Sequence, residues 1–126
     1  MKRIWKPIDG YEDYYIISNY GEVIRLESYD ARGHLRKARV KKTALNSDGY
    51  ETVGLYKDSK ETKFLVHRLV AIAFLDNPNG WNEINHKDEC RSNNCVDNLE
   101  WCTHKYNTNY GNCQAKRLES RREKYA

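Results

Sequence analysis

The sequence predicts an α+β fold, in which a small antiparallel β-meander is followed by a tight strand–loop–strand–helix unit and a C-terminal helix. Short β-rich runs between turn signals fill the first half of the chain, an apolar run stands in the middle, and strong helix formers with alternating charges end it. The 126 residues are enough for one domain, or for two small modules that share a core.

The first predicted module, residues 1–62, is the β-meander. Tyr20–Gly21 is a hairpin signal between the first two β-rich runs. A basic loop and further β-rich runs follow, and in one of them Glu51, Val53 and Leu55 share a face because strand side chains alternate. The strands are predicted at residues 14–19, 22–28, 41–45, 50–56 and 61–66.

The second predicted module, residues 63–113, contains the strand–loop–strand–helix unit. The apolar run 67–75 predicts a short buried helix, which the breaker at 77–80 ends. Two strands are predicted at 81–88 and 99–102. Thr103 is a suitable N-cap for a helix from 104 to 110, and a basic helix or tail is predicted at 114–126.

Composition excludes some classes of protein and leaves others open. No run approaches the roughly 18 apolar residues of a membrane span, and no apolar stretch follows the basic N-terminal tip, so we expect an intracellular protein without a membrane partner. Residues 31–42 carry six cations and no anion. That cluster fits a polyanionic partner, and it equally fits a solvated, exposed strand surface.

The four cysteines, Cys90, Cys95, Cys102 and Cys113, include no C-x-x-C pair. Their spacing is loose for a compact tetrahedral zinc site, so we expect thiols and no structural zinc. A zinc-stabilised binding module stays open as an alternative function.

Residues capable of phosphodiester chemistry concentrate between positions 85 and 107. Hydrolysis of a phosphodiester needs a base to deprotonate water and a cation to stabilise charge on the phosphate. His86, at a predicted strand end, can be the base near neutral pH. The oxygen donors of Asn85 and Asn107 suit Mg²⁺ or Mn²⁺.

The same segment resembles the HNH nuclease motif in its phage and intron homing-endonuclease form. The resemblance lies in Asn85–His86–Lys87–Asp88, Asn93–Asn94, Asn98–Leu99–Glu100–Trp101, Thr103 and Asn107. Residues 66–71 and Phe74 resemble the helix before that motif. Residues 5–8, 10–12, Tyr15, Ser18–Asn19, Gly21 and Val23 resemble the nuclease-associated N-terminal module of the same proteins. Together the matches cover about residues 3–111.

The resemblance implies a ββα-metal fold and a metal-dependent endonuclease that acts on double-stranded DNA, leaving 5′-phosphate and 3′-hydroxyl ends. His86 would be the general base, and Asn98 would hold the loop between the strands. Asn85 and Asn107 would bind one divalent cation, Mg²⁺ or Mn²⁺. Each site would nick one strand, in a monomer or weak dimer without a small-molecule cofactor, inside a bacterial or phage-infected cell.

The expected DNA contacts are cations. Such side chains give affinity through phosphates, whereas selectivity needs contacts to base edges. Arg91, inside the nuclease loop, is expected to clamp the scissile-strand phosphate. The candidates are Arg25, Arg32, Arg36, Lys37, Arg39, Lys41, Lys42 and Arg91.

Several residues keep alternative interpretations. Asn93 and Asn94 are expected to form turns, and Asn107 could cap its helix instead of binding metal. His104 is the rival ligand, and His67 is expected to anchor packing through a hydrogen bond. Some relatives have Asp where this chain has Asn85, and a neutral ligand should bind the cation less tightly. A DNA-binding protein that has lost cleavage therefore stays open as a second function.

Overall fold

The structure, a computed structural model, describes residues 1–109. Residues 110–126, with the predicted C-terminal helix and Cys113, lie outside the described part. The described chain forms β1 Trp5–Pro7, β2 Tyr15–Ser18, β3 Val23–Arg25, β4 Ser28–Tyr29, β5 Leu35–Arg36, β6 Arg39–Val40, β7 Ala44–Leu45, β8 Glu51–Lys57, β9 Lys60–Leu65, α1 Val66–Phe74, β10 Glu83–His86, β11 Leu99–Cys102 and α2 His104–Asn109. None of its helices is long and apolar enough to span a membrane.

The strands before α1 form three antiparallel sheets, in the orders β1-β2-β3-β6, β4-β5 and β7-β8-β9. The predicted hairpin between β2 and β3 is confirmed, with Gly21 N–H bonded to Ser18 O at 3.0 Å. Strands β8 and β9 form where strands were predicted, at 50–56 and 61–66. The basic segment, residues 31–42, was expected as a loop but contains the two-residue strands β5 and β6. The Asp30–Gly33 turn pairs β5 with β4, and β6 pairs with β3.

Helix α1 lies at the centre of the apolar core. Its buried residues Val66, Leu69 and Val70 pack in one cluster with Ile17 and Leu55 from the sheets before it. Ile84 and Leu99, from β10 and β11, belong to the same cluster. One core therefore joins residues from both predicted modules, while the module boundaries at 62 and 113 stay predictions.

The last elements form the predicted strand–loop–strand–helix unit. Strands β10 and β11 pair antiparallel, with Asn85 opposite Glu100 and His86 opposite Leu99. The Thr103 hydroxyl accepts a hydrogen bond from Tyr106 N–H at 3.1 Å, which confirms Thr103 as the N-cap of α2. The architecture as a whole is α+β, as predicted.

Candidate active site

Asn85 and His86 are neighbours on β10 whose side chains leave opposite faces of the hairpin, because successive strand residues alternate. His86 shares one face with its partner Leu99, and we call this the histidine face. Asn85 shares the other with Glu83 and Glu100, and we call this the amide face. Both residues are buried: the exposed fraction is 5% for Asn85 and 6% for His86. Their Cα atoms are about 3.8 Å apart, as in any two consecutive residues, but their side chains point away from each other.

On the histidine face, a hydrogen-bonded chain holds the His86 ring. Its Nε2 lies 3.0 Å from Oδ1 of Asn94, which is 3% exposed. The Asn94 amide nitrogen donates to Glu51 Oε2 of β8 at 3.2 Å. The expectation that Asn94 merely forms a turn is therefore wrong, because its side chain is buried between a histidine and a carboxylate.

Two further rings pack beside His86. The His67 centroid on α1 lies 5.0 Å away, and the Tyr50 centroid lies 6.0 Å away. His67 Nδ1 is buried without a hydrogen-bond partner among residues 1–109, so the hydrogen bond expected of His67 is absent at that atom. Burial lowers the pKa of His67 to about 4, with smaller contributions from His86 and Arg68, so its ring is neutral near pH 7.

On the amide face, each asparagine is bonded to a carboxylate. Asn85 Nδ2 donates to Glu100 Oε1 at 2.9 Å, and Asn107 Nδ2, on α2, donates to Glu83 Oε2 at 3.3 Å. His104 Nδ1 lies 2.7 Å from Glu83 Oε1. This hydrogen bond, followed by that of Asn107, lowers the pKa of Glu83.

The donor set on the amide face fits a hard divalent cation. Because each amide nitrogen bonds a carboxylate, the amide oxygen faces away from it and is the atom available to a metal. Oxygen ligands with negative charge nearby suit Mg²⁺ or Mn²⁺. Within residues 1–109 no group of three His, Cys, Asp or Glu side chains could hold a metal ion.

Asn98 connects the two ends of the loop between β10 and β11. Its Oδ1 accepts from Asp88 N–H at 2.9 Å, and its Nδ2 donates to Asp88 Oδ1 and Asn93 O, each at 2.9 Å. Its backbone oxygen accepts from Lys87 N–H at 2.7 Å. The Asp88 carboxylate also accepts from Asn93 Nδ2 and Cys90 N–H, and these two bonds, followed by that of Asn98, lower the pKa of Asp88.

The same loop lies against the first half of the chain. Val96 N–H bonds Asn19 O at 2.8 Å, and a Cβ on Gly21 would lie 3.0 Å from Asn94 Cβ. Arg91, the predicted phosphate clamp, donates from Nη1 to Asp48 O at 2.6 Å. Its guanidinium stacks 5.1 Å from the centre of the Tyr50 ring. In this structure Arg91 therefore fastens the loop to the segment before β8.

The other predicted DNA contacts lie on the basic segment or next to it. Arg25 is half-buried, donates to Lys37 O at 3.1 Å and stands directly opposite Arg39 in the β3–β6 pair. Lys41 is half-buried, with its ammonium 5.8 Å from the centre of the Tyr56 ring. The exposed cations are Arg32, Arg36, Lys37, Arg39 and Lys42.

Three of the four cysteines fall in the described part, as free thiols. Cys90 is exposed, and its hydrogen bond with Ser92 lowers its pKa. Cys102 is buried on the amide face, and burial, helped by Glu83 and Glu100, raises its pKa to about 11.

Sequence reasoning gave no site role to four residues that contact the predicted site, namely Asn94, Glu51, Glu83 and Glu100, although Asn94 and Glu100 belong to the matched motif. Glu51 carried a signal, since a carboxylate on the same face as Val53 and Leu55 needs a buried partner. Glu83 and Glu100 could be found only once the β10–β11 register was known.

Most of the described chain resembles known proteins. Residues 4–56 match the NUMOD4 motif. The chain is 42% identical over 103 residues to DNA endonuclease I-HmuI of Bacillus phage SP01, covering 82% of this chain and 54% of that protein. It is 39% identical over 106 residues to the uncharacterized HNH endonuclease L245 of Acanthamoeba polyphaga mimivirus, covering 84% of this chain and 29% of the relative.

A solved structure described as DNA binding and cleavage by the HNH homing endonuclease I-HmuI matches with a TM-score of 0.65 and 36% identity, over 94% of this chain and 59% of that one. The chain thus spans about half the length of the viral relative that it matches at 42% identity.

Proposed function

Because the chain is a relative of the HNH homing endonucleases and carries a NUMOD4 motif, we propose that it is a metal-dependent DNA endonuclease that hydrolyses phosphodiester bonds. The observation that carries the proposal is the hairpin β10–β11. It presents a buried, hydrogen-bonded histidine on one face and the carboxylate-bonded amide of Asn85 on the other, where Asn107 of α2 bonds Glu83 of the same hairpin.

In this proposal His86 is the general base. Its ring is held by Asn94 and packs beside His67 and Tyr50, so the free ring nitrogen can take a proton from water without the ring first having to be ordered. Asn98 acts indirectly, by tying both ends of the loop and so fixing the strand end from which His86 projects.

Asn85 and Asn107 would hold one divalent cation, Mg²⁺ or Mn²⁺, through their amide oxygens. When bound, the cation supplies positive charge at the phosphate and at the leaving oxygen. Glu100 and Glu83 orient the two amides and add negative charge beside them. His104, the rival ligand, bonds Glu83 through Nδ1 and so supports the carboxylate that orients Asn107.

Double-stranded DNA is the proposed substrate, with the exposed cations of the basic segment along its phosphates. Arg25 directly opposite Arg39 is unfavourable in a free sheet and favourable next to a polyanion. One site cuts one strand, so we propose nicking with some sequence selectivity, leaving 5′-phosphate and 3′-hydroxyl ends.

The test is cleavage of supercoiled plasmid by the wild type and by His86→Ala, in Mg²⁺, Mn²⁺ or EDTA. We expect metal-dependent conversion to open circle by the wild type, and loss of cleavage in His86→Ala with DNA affinity kept within a few-fold, since the base makes no phosphate contact in this proposal. A fully active His86→Ala, or a wild type that binds DNA but does not cut it in any metal, would overturn the assignment.

A further inference from the structure

The NUMOD4-matching part of the chain contributes a carboxylate to the surroundings of the catalytic histidine. Glu51 lies within residues 4–56, which match that motif, and Asn94 lies in the nuclease loop 43 positions further on. The hydrogen bond between them joins the two parts next to His86. We propose that Glu51 and Asn94 are positioning residues that fix which nitrogen of His86 carries the proton.

The direction of the hydrogen bonds follows from the chemistry of the three groups. An ionised carboxylate only accepts hydrogen bonds, so Asn94 must turn its NH₂ group toward Glu51. The Asn94 carbonyl oxygen then faces His86 Nε2, at 3.0 Å. An oxygen without hydrogen can bond this nitrogen only if the nitrogen donates. Nε2 therefore carries the proton, and Nδ1 keeps the lone pair that a base needs.

Burial favours one tautomer of His86 over the other. Asn94 and His86 are 3% and 6% exposed, so water does not compete freely for their hydrogen bonds. The opposite tautomer would place an unprotonated Nε2 against a carbonyl oxygen, which leaves two buried acceptors facing each other. Asn94 itself is held in place, because Gly21 packs against its Cβ and Val96 N–H, two positions further along the same loop, bonds Asn19 O.

Other charged or titratable groups near His86 do not replace this contact. His67 touches its ring edge with a lowered pKa, Asp88 bonds within the loop, and Arg91 donates to Asp48 O. Among the hydrogen bonds of the described residues, that to Asn94 is the one that engages a ring nitrogen of His86.

This inference rests on the proposed function for its catalytic meaning, but it can be tested without activity. Side-chain ¹H–¹⁵N NMR of the metal-free full chain in EDTA reports which ring nitrogen of His86 is protonated and how fast that proton exchanges. We expect a slowly exchanging Nε2 proton in the wild type. Its protection should disappear in Asn94→Ala and weaken in Glu51→Ala, while Asn93→Ala, which removes a neighbouring loop amide, keeps it.

A pair of reciprocal substitutions separates positioning from simple packing. Asn94→Asp alone sets two carboxylates against each other and should lower the single-turnover cleavage rate by about tenfold or more without weakening DNA binding. The double variant Asn94→Asp/Glu51→Gln exchanges donor and acceptor between the two positions. The new amide at position 51 donates to the new carboxylate at position 94, whose other oxygen accepts from Nε2, so the repulsion is removed and much of the rate should return. This pair keeps the test decisive if Asn94→Ala does not fold.

The outcomes distinguish the two proposals. Unchanged proton exchange at His86 in both Asn94→Ala and Glu51→Ala would overturn the positioning role, as would a double variant no faster than Asn94→Asp. A wild type that never cleaves DNA but shows the protected Nε2 proton, lost in Asn94→Ala, would contradict the nuclease assignment and leave the positioning contact standing.

Discussion

The two faces of the β10–β11 hairpin are stabilised in different ways. On the histidine face, His86 depends on Asn94 and, through it, on Glu51, which comes from β8 far earlier in the chain. On the amide face, Asn85 and Asn107 depend on glutamates within 24 positions of them, all inside the strand–loop–strand–helix unit. The difference teaches that the proposed base is positioned by tertiary packing, and the proposed cation site by local pairing.

The largest expected effect comes from a substitution on the amide face. Asn107→Ala removes one proposed ligand and should lower single-turnover cleavage by about a hundredfold at fixed Mg²⁺, since even outer-shell changes at metal sites cost about 10–100-fold. The control Thr108→Ala, at an exposed position of the same helix, should cleave like the wild type. His86 proton exchange should not respond to Asn107→Ala, because the two side chains lie on opposite faces, and a response would break the comparison.

Gly21→Ala should destabilise the packing of Asn94, which supports His86 on the histidine face. The residue has φ +86°, and an added Cβ would lie 3.0 Å from Asn94 Cβ. We expect a loss of about 2–4 kcal/mol in the free energy of unfolding, from backbone strain and overpacking together, measured by urea denaturation.

Gly10→Ala is the matched control, with φ +82° and no heavy atom within 4 Å of the new Cβ. It should lose only the strain, about 1–2 kcal/mol. Equal losses in the two variants would mean that the contact with Asn94 is unimportant.

The neutral His67 ring predicts a pH dependence of stability. Its pKa is about 4 in the folded protein and about 6.5 in an unfolded chain. Between these values the unfolded state binds a proton that the folded state does not, so the free energy of unfolding should fall as pH drops from 6.5 to 4 and level off below.

His67→Phe keeps a ring beside His86 and removes this titration, so its stability should fall less over the same range, by about 3 kcal/mol at most. Denaturation curves at pH 4 and pH 7 measure the difference. Identical pH slopes in the two proteins would show that burial does not neutralise His67.

The smallest expected effect concerns Asn85. Asn85→Asp adds charge at a proposed ligand and should lower the Mg²⁺ concentration for half-maximal cleavage by about three- to tenfold. A titration of cleavage against Mg²⁺ measures it. Complete loss of activity would mean that position 85 does not bind the cation.

Local patterns predicted most of the fold. Alternation predicted β8, a capping residue predicted α2, and turn residues predicted the β2–β3 hairpin. Strand β1 was missed because Pro7 argues against a strand, and it pairs only as an edge. Strands β5 and β6 were missed because two-residue strands carry almost no periodicity.

In the site too, local patterns were predictable and long-range contacts were not. The motif spacing predicted that Asn85, His86 and Asn107 belong to one small unit, and they do lie on β10 and the helix that packs against it. The Asn94–Glu51 contact could not be predicted, because it depends on how β8 packs against a loop 43 positions away.

The loop between β10 and β11 packs against β8, and this packing limits which parts of the protein can be exchanged with parts of other proteins. Cutting the chain near residue 62 and grafting the segment after it onto a foreign module would leave Asn94 without Glu51 and Gly21, and Arg91 without Asp48. A chimera that retains residues 19–21 and 48–51 alongside the segment after residue 62 would keep the contacts that support His86. In this protein the junction that matters for module exchange is therefore a packing surface rather than a point in the sequence.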